Sequence, residues 1–185
     1  MRRIVFSLSV SLDGFFEGPN HEIDWSRVDD ELMAHMNDQF RDTSMFLTGR
    51  ITHELMASAW SATGADPDAP ALAAEFASIW LPTPKYVFSR TLDHAECNAT
   101  VKRAVDVEEI RALQRQPGGD MVVGGPDLAR TFRELDLIDE YRVYVHPVVI
   151  GRGRPMFQAV DERVGLTLAD ARTFGNGVVR LSYTR

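Results

Sequence analysis

Cysteine is almost missing from this chain: Cys97 stands alone among 185 residues. A single thiol excludes an internal disulfide framework and fits a reducing compartment, so a cytoplasmic location is expected. Basic charge is also scarce. Lys and Arg number 20 against 27 Asp and Glu, a formal net charge of −7. A general nucleic-acid binder would present a basic face instead, so no nucleic-acid partner is expected. No apolar run approaches the roughly 18 residues that cross a bilayer, which argues against a membrane partner. The opening Met1-Arg2-Arg3-Ile4-Val5-Phe6 is followed by Ser and Asp and by no small-residue cleavage site. It reads as a first strand and not as a signal peptide.

Several chemistries are absent as well. His21, His35, His53, His94 and His146 show no metal-ligand spacing, and His53-Glu54 has no second histidine four residues on. No metal site is therefore expected. There is no G-x-S-x-G nucleophile elbow. Cys97 has no histidine or cation beside it in the sequence, so it reads as an inert thiol. The G-x-G-x-x-G dinucleotide fingerprint does not occur either. At 44% hydrophobic, the chain suffices for one well-buried domain over residues 1–185 and not for two ordinary ones.

What is present centres on Met121-Val122-Val123-Gly124-Gly125-Pro126-Asp127-Leu128. A short β-branched run ends in two glycines, and a helix-starting Pro-Asp pair follows at once. Paired glycines let backbone approach a bulky ligand, and a helix start offers unpaired N–H groups and a positive dipole end to phosphate. Strand-to-helix turns also use glycine for steric reasons alone, so the segment by itself leaves both readings open.

Around it, strands and helices alternate. Ile4 to Val10 reads as a strand, and Ser26 or Asp29 caps a helix running to about Arg41. Ser44 to Leu47 is a short buried strand, followed by a helix with Ile51, Leu55, Met56 and Trp60 inward. Residues 61–70 read as an exposed loop, and Pro70 opens a helix carrying Leu72, Phe76, Ile79 and Trp80. A strand over Lys85–Ser89, a weaker one near Thr100–Lys102 and a helix marked by Val107, Ile110 and Leu113 come next. After the glycine pair, a helix turns Leu128, Phe132 and Leu135 inward. Glu140 to Ile150 reads as a long strand, and two final strands join near Asn176-Gly177. The order predicts one α/β domain: a mixed, mostly parallel sheet of about eight strands, helices on both faces and a C-terminal antiparallel hairpin.

The chain resembles the dihydrofolate-reductase-like fold, and within it the reductase domain at the C-terminus of the bifunctional riboflavin-biosynthesis deaminase-reductase. The residues that carry the resemblance are Ser11-Leu12-Asp13-Gly14, Gly49-Arg50-Ile51-Thr52, Ser89-Arg90, Gly124-Gly125 and Val148-Val149-Ile150-Gly151-Arg152-Gly153-Arg154-Pro155-Met156-Phe157. No zinc-deaminase signature precedes them, so the resemblance is to a stand-alone reductase. It implies an NADPH site. Gly49, Arg50 and Thr52 would open a helix against the cofactor phosphates, and Ser89 and Arg90 would approach the adenosine 2′-phosphate. Val123, Gly124 and Gly125, with Pro126, Asp127 and Leu128 behind them, would cradle the pyrophosphate. Val10 would lie near the nicotinamide, flanked by Asp13 and Gly14. A homodimer is also implied, with Tyr141–Ile150 or the neighbouring apolar helices as contacts.

The substrate side is less determinate. Asp29 shares a stripe with Met33, Met36 and Phe40, so it either points into the cleft to assist protonation, as a first-helix acid does in folate-reducing relatives, or simply favours the positive helix end. The helix-dipole reading is the simpler. Glu17, Asp24 and Trp25 precede this helix in a loop able to fold over a heterocycle, though Trp25 could equally anchor a core. Arg152 and Arg154 either hold a substrate phosphate or are solvated turn residues. The resulting expectation is an NADPH-dependent reductase of a small heterocycle, with 5-amino-6-(5-phosphoribosylamino)uracil as the first substrate. The alternatives are a dihydrofolate or pterin reductase and a non-catalytic NADP-binding module.

Overall fold

The computed structural model describes residues 1–158 and 163–185. In chain order the elements are β1 (Ile4–Ser11), β2 (Phe15–Glu17), α1 (Asp30–Phe40), β3 (Met45–Gly49), α2 (Arg50–Ala65), α3 (Ala71–Trp80), β4 (Lys85–Phe88), β5 (Ala99–Lys102), α4 (Val107–Gln114), β6 (Met121–Gly124), α5 (Pro126–Glu134), β7 (Glu140–His146), β8 (Arg154–Pro155), β9 (Thr167–Thr173) and β10 (Val179–Thr184). Eight strands form one sheet in the order β5-β4-β3-β6-β1-β7-β10-β9. All neighbours pair in parallel except β10, which runs antiparallel to both β7 and β9. This is the mixed, mostly parallel α/β sheet with a C-terminal antiparallel hairpin that the sequence order leads one to expect, and it is the dihydrofolate-reductase-like architecture that the resemblance implies.

Burial on both faces explains why the central strands are near-continuous apolar runs. One face takes Met45, Leu47, Met121, Val123, Ile4 and Phe6 against Ile110 of α4 and Leu128 and Phe132 of α5. The opposite face turns Phe46 and Val122 toward Phe76 and Trp80 of α3, with Met33, Phe40, Met56 and Trp60 packed around them. Further along that face, Tyr144 meets Leu32 of α1 and the Phe174 and Val178 of the final hairpin. Lys85 is buried at the start of β4, where Nζ donates to the carbonyls of Trp80 at 2.5 Å and Thr83 at 2.6 Å. It thereby satisfies carbonyls at and just past the end of α3, and burial lowers its pKa to about 8.

The structure corrects four local expectations and adds one strand pair. α2 continues to Ala65, so residues 61–65 are helical and not loop. Its inner face is His53, Met56, Ala57 and Trp60, whereas Ile51 and Leu55 are 60% and 67% exposed. The strand predicted to reach Ile150 ends at His146, because Pro147 has no N–H to continue the ladder. β7 lies inside the sheet between β1 and β10, so it offers no free edge for a dimer contact. Finally, β2 and β8 pair with each other in a small second sheet that no periodicity announces.

Candidate active site

The carboxyl ends of β4, β3, β6 and β1 stand side by side, because these strands are consecutive neighbours in the sheet. Such ends are where open α/β sheets collect ligands. Gly49 closes β3 and caps α2, and Gly125 follows β6 and caps α5; neither helix has a side-chain cap bond. Both therefore leave backbone N–H groups without a side-chain partner at the positive end of the helix dipole. Thr48 pairs with Gly124 in the ladder, so the two helix starts are adjacent.

Thr52 of α2 crowds Gly125, and Thr48 crowds Gly124. A Cβ on Gly125 would sit 2.6 Å from Thr52 Oγ1, and one on Gly124 would sit 3.3 Å from Thr48 Cγ2. Gly125 also has φ +89°, a conformation that side chains strain to adopt. Close beneath, Thr48 Oγ1 is buried and has no partner among the described residues. In the sequence Thr48 stands in the hydroxyl-, glycine- and arginine-bearing turn after the Ser44–Leu47 strand, with no role of its own assigned. Arg50 is half-exposed and pairs with Glu54 at 2.8 Å.

The end of β4 adjoins this cradle, since Gly49 pairs with Phe88 and Ser89 follows immediately. Ser89 Oγ accepts from the amides of Thr91 and Leu92, which shapes the turn that presents Arg90. Arg90 is exposed and forms no ion pair among the described residues. Val10 is buried near the end of β1, opposite Val145.

A second group sits beyond β1. Asp13 accepts from the amides of Ile150 (3.2 Å) and Gly151 (2.8 Å). The Ser11 hydroxyl, followed by these amides, holds its carboxyl below the usual range. Gly14 turns the chain at φ +86° and accepts from the amide of Met156. Arg154 then links three elements: Nη1 donates to Glu17 at 2.8 Å, and Nη2 to Asp127 at 2.9 Å. Glu17 also meets His21, and Asp127 takes a bond from Gln158. Arg154 is thus held by two carboxylates and is not a fully solvated turn residue. Arg152 is exposed and has no ion pair among the described residues.

The third group surrounds His146, another residue that sequence reasoning set aside. Its ring is fully buried at the end of β7, and Nδ1 accepts from the backbone N–H of Arg27 at 3.0 Å. That bond assigns the proton to Nε2, which has no partner among the described residues. Burial, and secondarily the Arg27 charge, push the imidazole pKa down. Trp25 packs edge-on against it, with centroids 5.6 Å apart, and donates to the carbonyl of Glu22. Asp24 is exposed. Asp29 is the N-cap of α1, its carboxylate accepting from the amide of Leu32 at 3.0 Å. That is the helix-end role, reached through a cap bond.

The chain belongs to the RibD C-terminal domain family, whose model matches residues 2–180. It is similar to the uncharacterized protein YyaP of Bacillus subtilis (strain 168), at 37% identity over 98% of this chain and 94% of that one. Among solved structures it resembles a putative riboflavin biosynthesis protein from Shewanella sp. PV-4, with TM-score 0.72, 21% identity and coverage of 100% and 99% of the two chains. It also shares its fold with the dihydrofolate reductase of Enterococcus faecalis complexed with NADP(H) and RAB-propyl, with TM-score 0.60, 14% identity and coverage of 99% and 96%.

Proposed function

We propose that this protein is an NADPH-dependent reductase that delivers hydride to a small heterocycle. The observation that carries the reading is the convergence of two uncapped helix starts, Gly49–Thr52 and Gly125–Leu128, on one glycine-lined cradle above the unpartnered Thr48 hydroxyl. Backbone amides and dipoles so arranged suit a pyrophosphate. Arg90, presented one strand further out, suits the additional 2′-phosphate, and its planar fork can bind phosphate oxygens in pairs. When bound, the cofactor supplies the hydride. This chain's residues would bind and orient it: Val123, Pro126 and Leu128 would back the cradle, and Val10 would lie toward the nicotinamide. Asp13, Gly14, Glu17, Asp127 and Arg154 lock the loops beside that end into one frame.

Asp24, Trp25 and Arg152 form the substrate-side wall in this reading, and Asp29 positions α1. The riboflavin precursor 5-amino-6-(5-phosphoribosylamino)uracil, to which the resemblance points, is the reference compound for turnover. A homodimer in a cytoplasmic setting belongs to the same proposal, and β9, the fully exposed one of the two edge strands, is a candidate contact. Light scattering at micromolar concentration tests it.

Calorimetric titration tests the cofactor. NADPH is expected to bind more tightly than NADH, and Arg90→Ala to remove most of that preference. Loss of one charged phosphate contact costs on the order of 1.5–3 kcal/mol. Equal affinities for the two cofactors in the unaltered protein would refute the assignment.

A further inference from the structure

The two helix starts that meet in the cradle differ in one respect. The first turn of α2 holds no acid, whereas that of α5 holds Asp127, directly behind Pro126. A side chain in the first turn of a helix leans back toward the N-terminus, so this carboxylate stands at the positive end of the dipole. A phosphate would seek the same place, and an uncompensated carboxylate there would repel it. Compensation comes from a distant part of the chain. Arg154 Nη2 donates to both Asp127 oxygens, at 3.1 and 2.9 Å, and Gln158 Nε2 donates to one of them at 2.7 Å. The guanidinium is itself held in place. It lies 5.1 Å from the centroid of the Phe16 ring, its Nη1 donates to Glu17 at 2.8 Å, and β8 pairs Arg154 with Glu17 of β2.

We propose that Arg154 is a positioning residue of the cofactor cradle: it holds the Asp127 carboxylate and offsets its charge, so that the start of α5 accepts the cofactor's pyrophosphate. This rests on the reductase reading above. Arg154 acts on the cofactor through Asp127, and no contact between its guanidinium and a ligand is required. The Arg154 and Asp127 side chains are 37% and 68% exposed, so the pair adds little to stability, and its influence on a bound anion is moderate and screened by salt.

Calorimetric titration of the full chain with NADP⁺ at low ionic strength tests this through a double-mutant cycle. Arg154→Gln is expected to weaken binding about five- to tenfold, with the gap shrinking in high salt, and Arg154→Lys, which keeps the charge, to weaken it less. Asp127→Asn is expected to tighten binding about threefold, because it removes the resident negative charge. In the Asp127→Asn background the loss caused by Arg154→Gln should fall below about twofold. A purely structural role for Arg154 in the β2–β8 pairing predicts the same loss whether residue 127 is Asp or Asn. That outcome overturns the proposal, as does unchanged affinity in Arg154→Gln or weaker binding by Asp127→Asn. Should Arg154→Gln fail to fold, Asp127→Asn alone decides, by tightening or not. Failure of the unaltered protein to bind NADP⁺ removes the reductase reading and this inference with it, and it is read before any variant, so the two failures are distinguishable.

Discussion

Gly125 is the residue at which local geometry and the proposed chemistry meet. Its φ of +89° already disfavours a side chain, and the Thr52 hydroxyl leaves no room for a Cβ. Gly125→Ala is expected to destabilise the fold by about 1–3 kcal/mol through its positive-φ backbone alone. It should also weaken NADPH roughly tenfold by pushing α2 and α5 apart at their starts. Gly177→Ala, at φ +86° in the final hairpin, also forces a side chain to a positive φ, far from the cradle, and should leave affinity intact. Urea unfolding and calorimetry on both variants separate the two effects. The glycine pair was readable in the sequence because glycine declares a backbone requirement. The commitment of Arg154 was not, because its partners Glu17 and Asp127 lie 137 and 27 residues away in the chain.

At the scale of elements, the segment before α1 is fastened to the sheet by one imidazole. The Arg27 amide donates to His146, and the Asn176 side chain donates to the Arg27 carbonyl, so β7 and the last hairpin hold this segment together. Protonating Nδ1 would oppose two N–H groups. The folded-state pKa of His146 lies below the ordinary 6.5, so its contribution to stability is complete above that pH and is lost as pH falls through the folded value. His35, buried beside Arg172 and Arg180 with a pKa of about 4, adds in the same direction. Stability should therefore decline between pH 6.5 and about 4. His146→Asn, which keeps an acceptor but does not titrate, should flatten part of that decline. His146→Leu should destabilise at every pH by about 1–3 kcal/mol by stranding the Arg27 amide. Denaturant unfolding over this pH range distinguishes these outcomes. Most elements were legible because each repeats apolar residues at its own period. α2 misled because Ile51 and Leu55 fit a helical stripe as well as Met56 and Trp60 do, and only packing against α3 chooses between them. β2 and β8 escaped because three- and two-residue strands exist only through their mutual pairing.

Across the whole molecule, the strand order decides what can act together. Thr48, Gly49, Ser89, Gly124 and Gly125 come from distant stretches of chain, yet parallel pairing sets them on one edge of the sheet. A cavity of about 270 Å³ lined by Arg3, Asp38, Asp42, Asp120 and Arg142 sits at the opposite ends of the strands, away from the cradle. The central claim is that α2 and α5 begin a single cofactor site. Backbone amide NMR during titration with NADP⁺ tests it most directly. The account predicts saturable shifts, with one dissociation constant, in Gly49–Thr52, Gly124, Gly125 and Asp127 together, with Arg90 following. Shifts confined to one helix start, or gathered around the Arg3–Asp42 cavity, would contradict it.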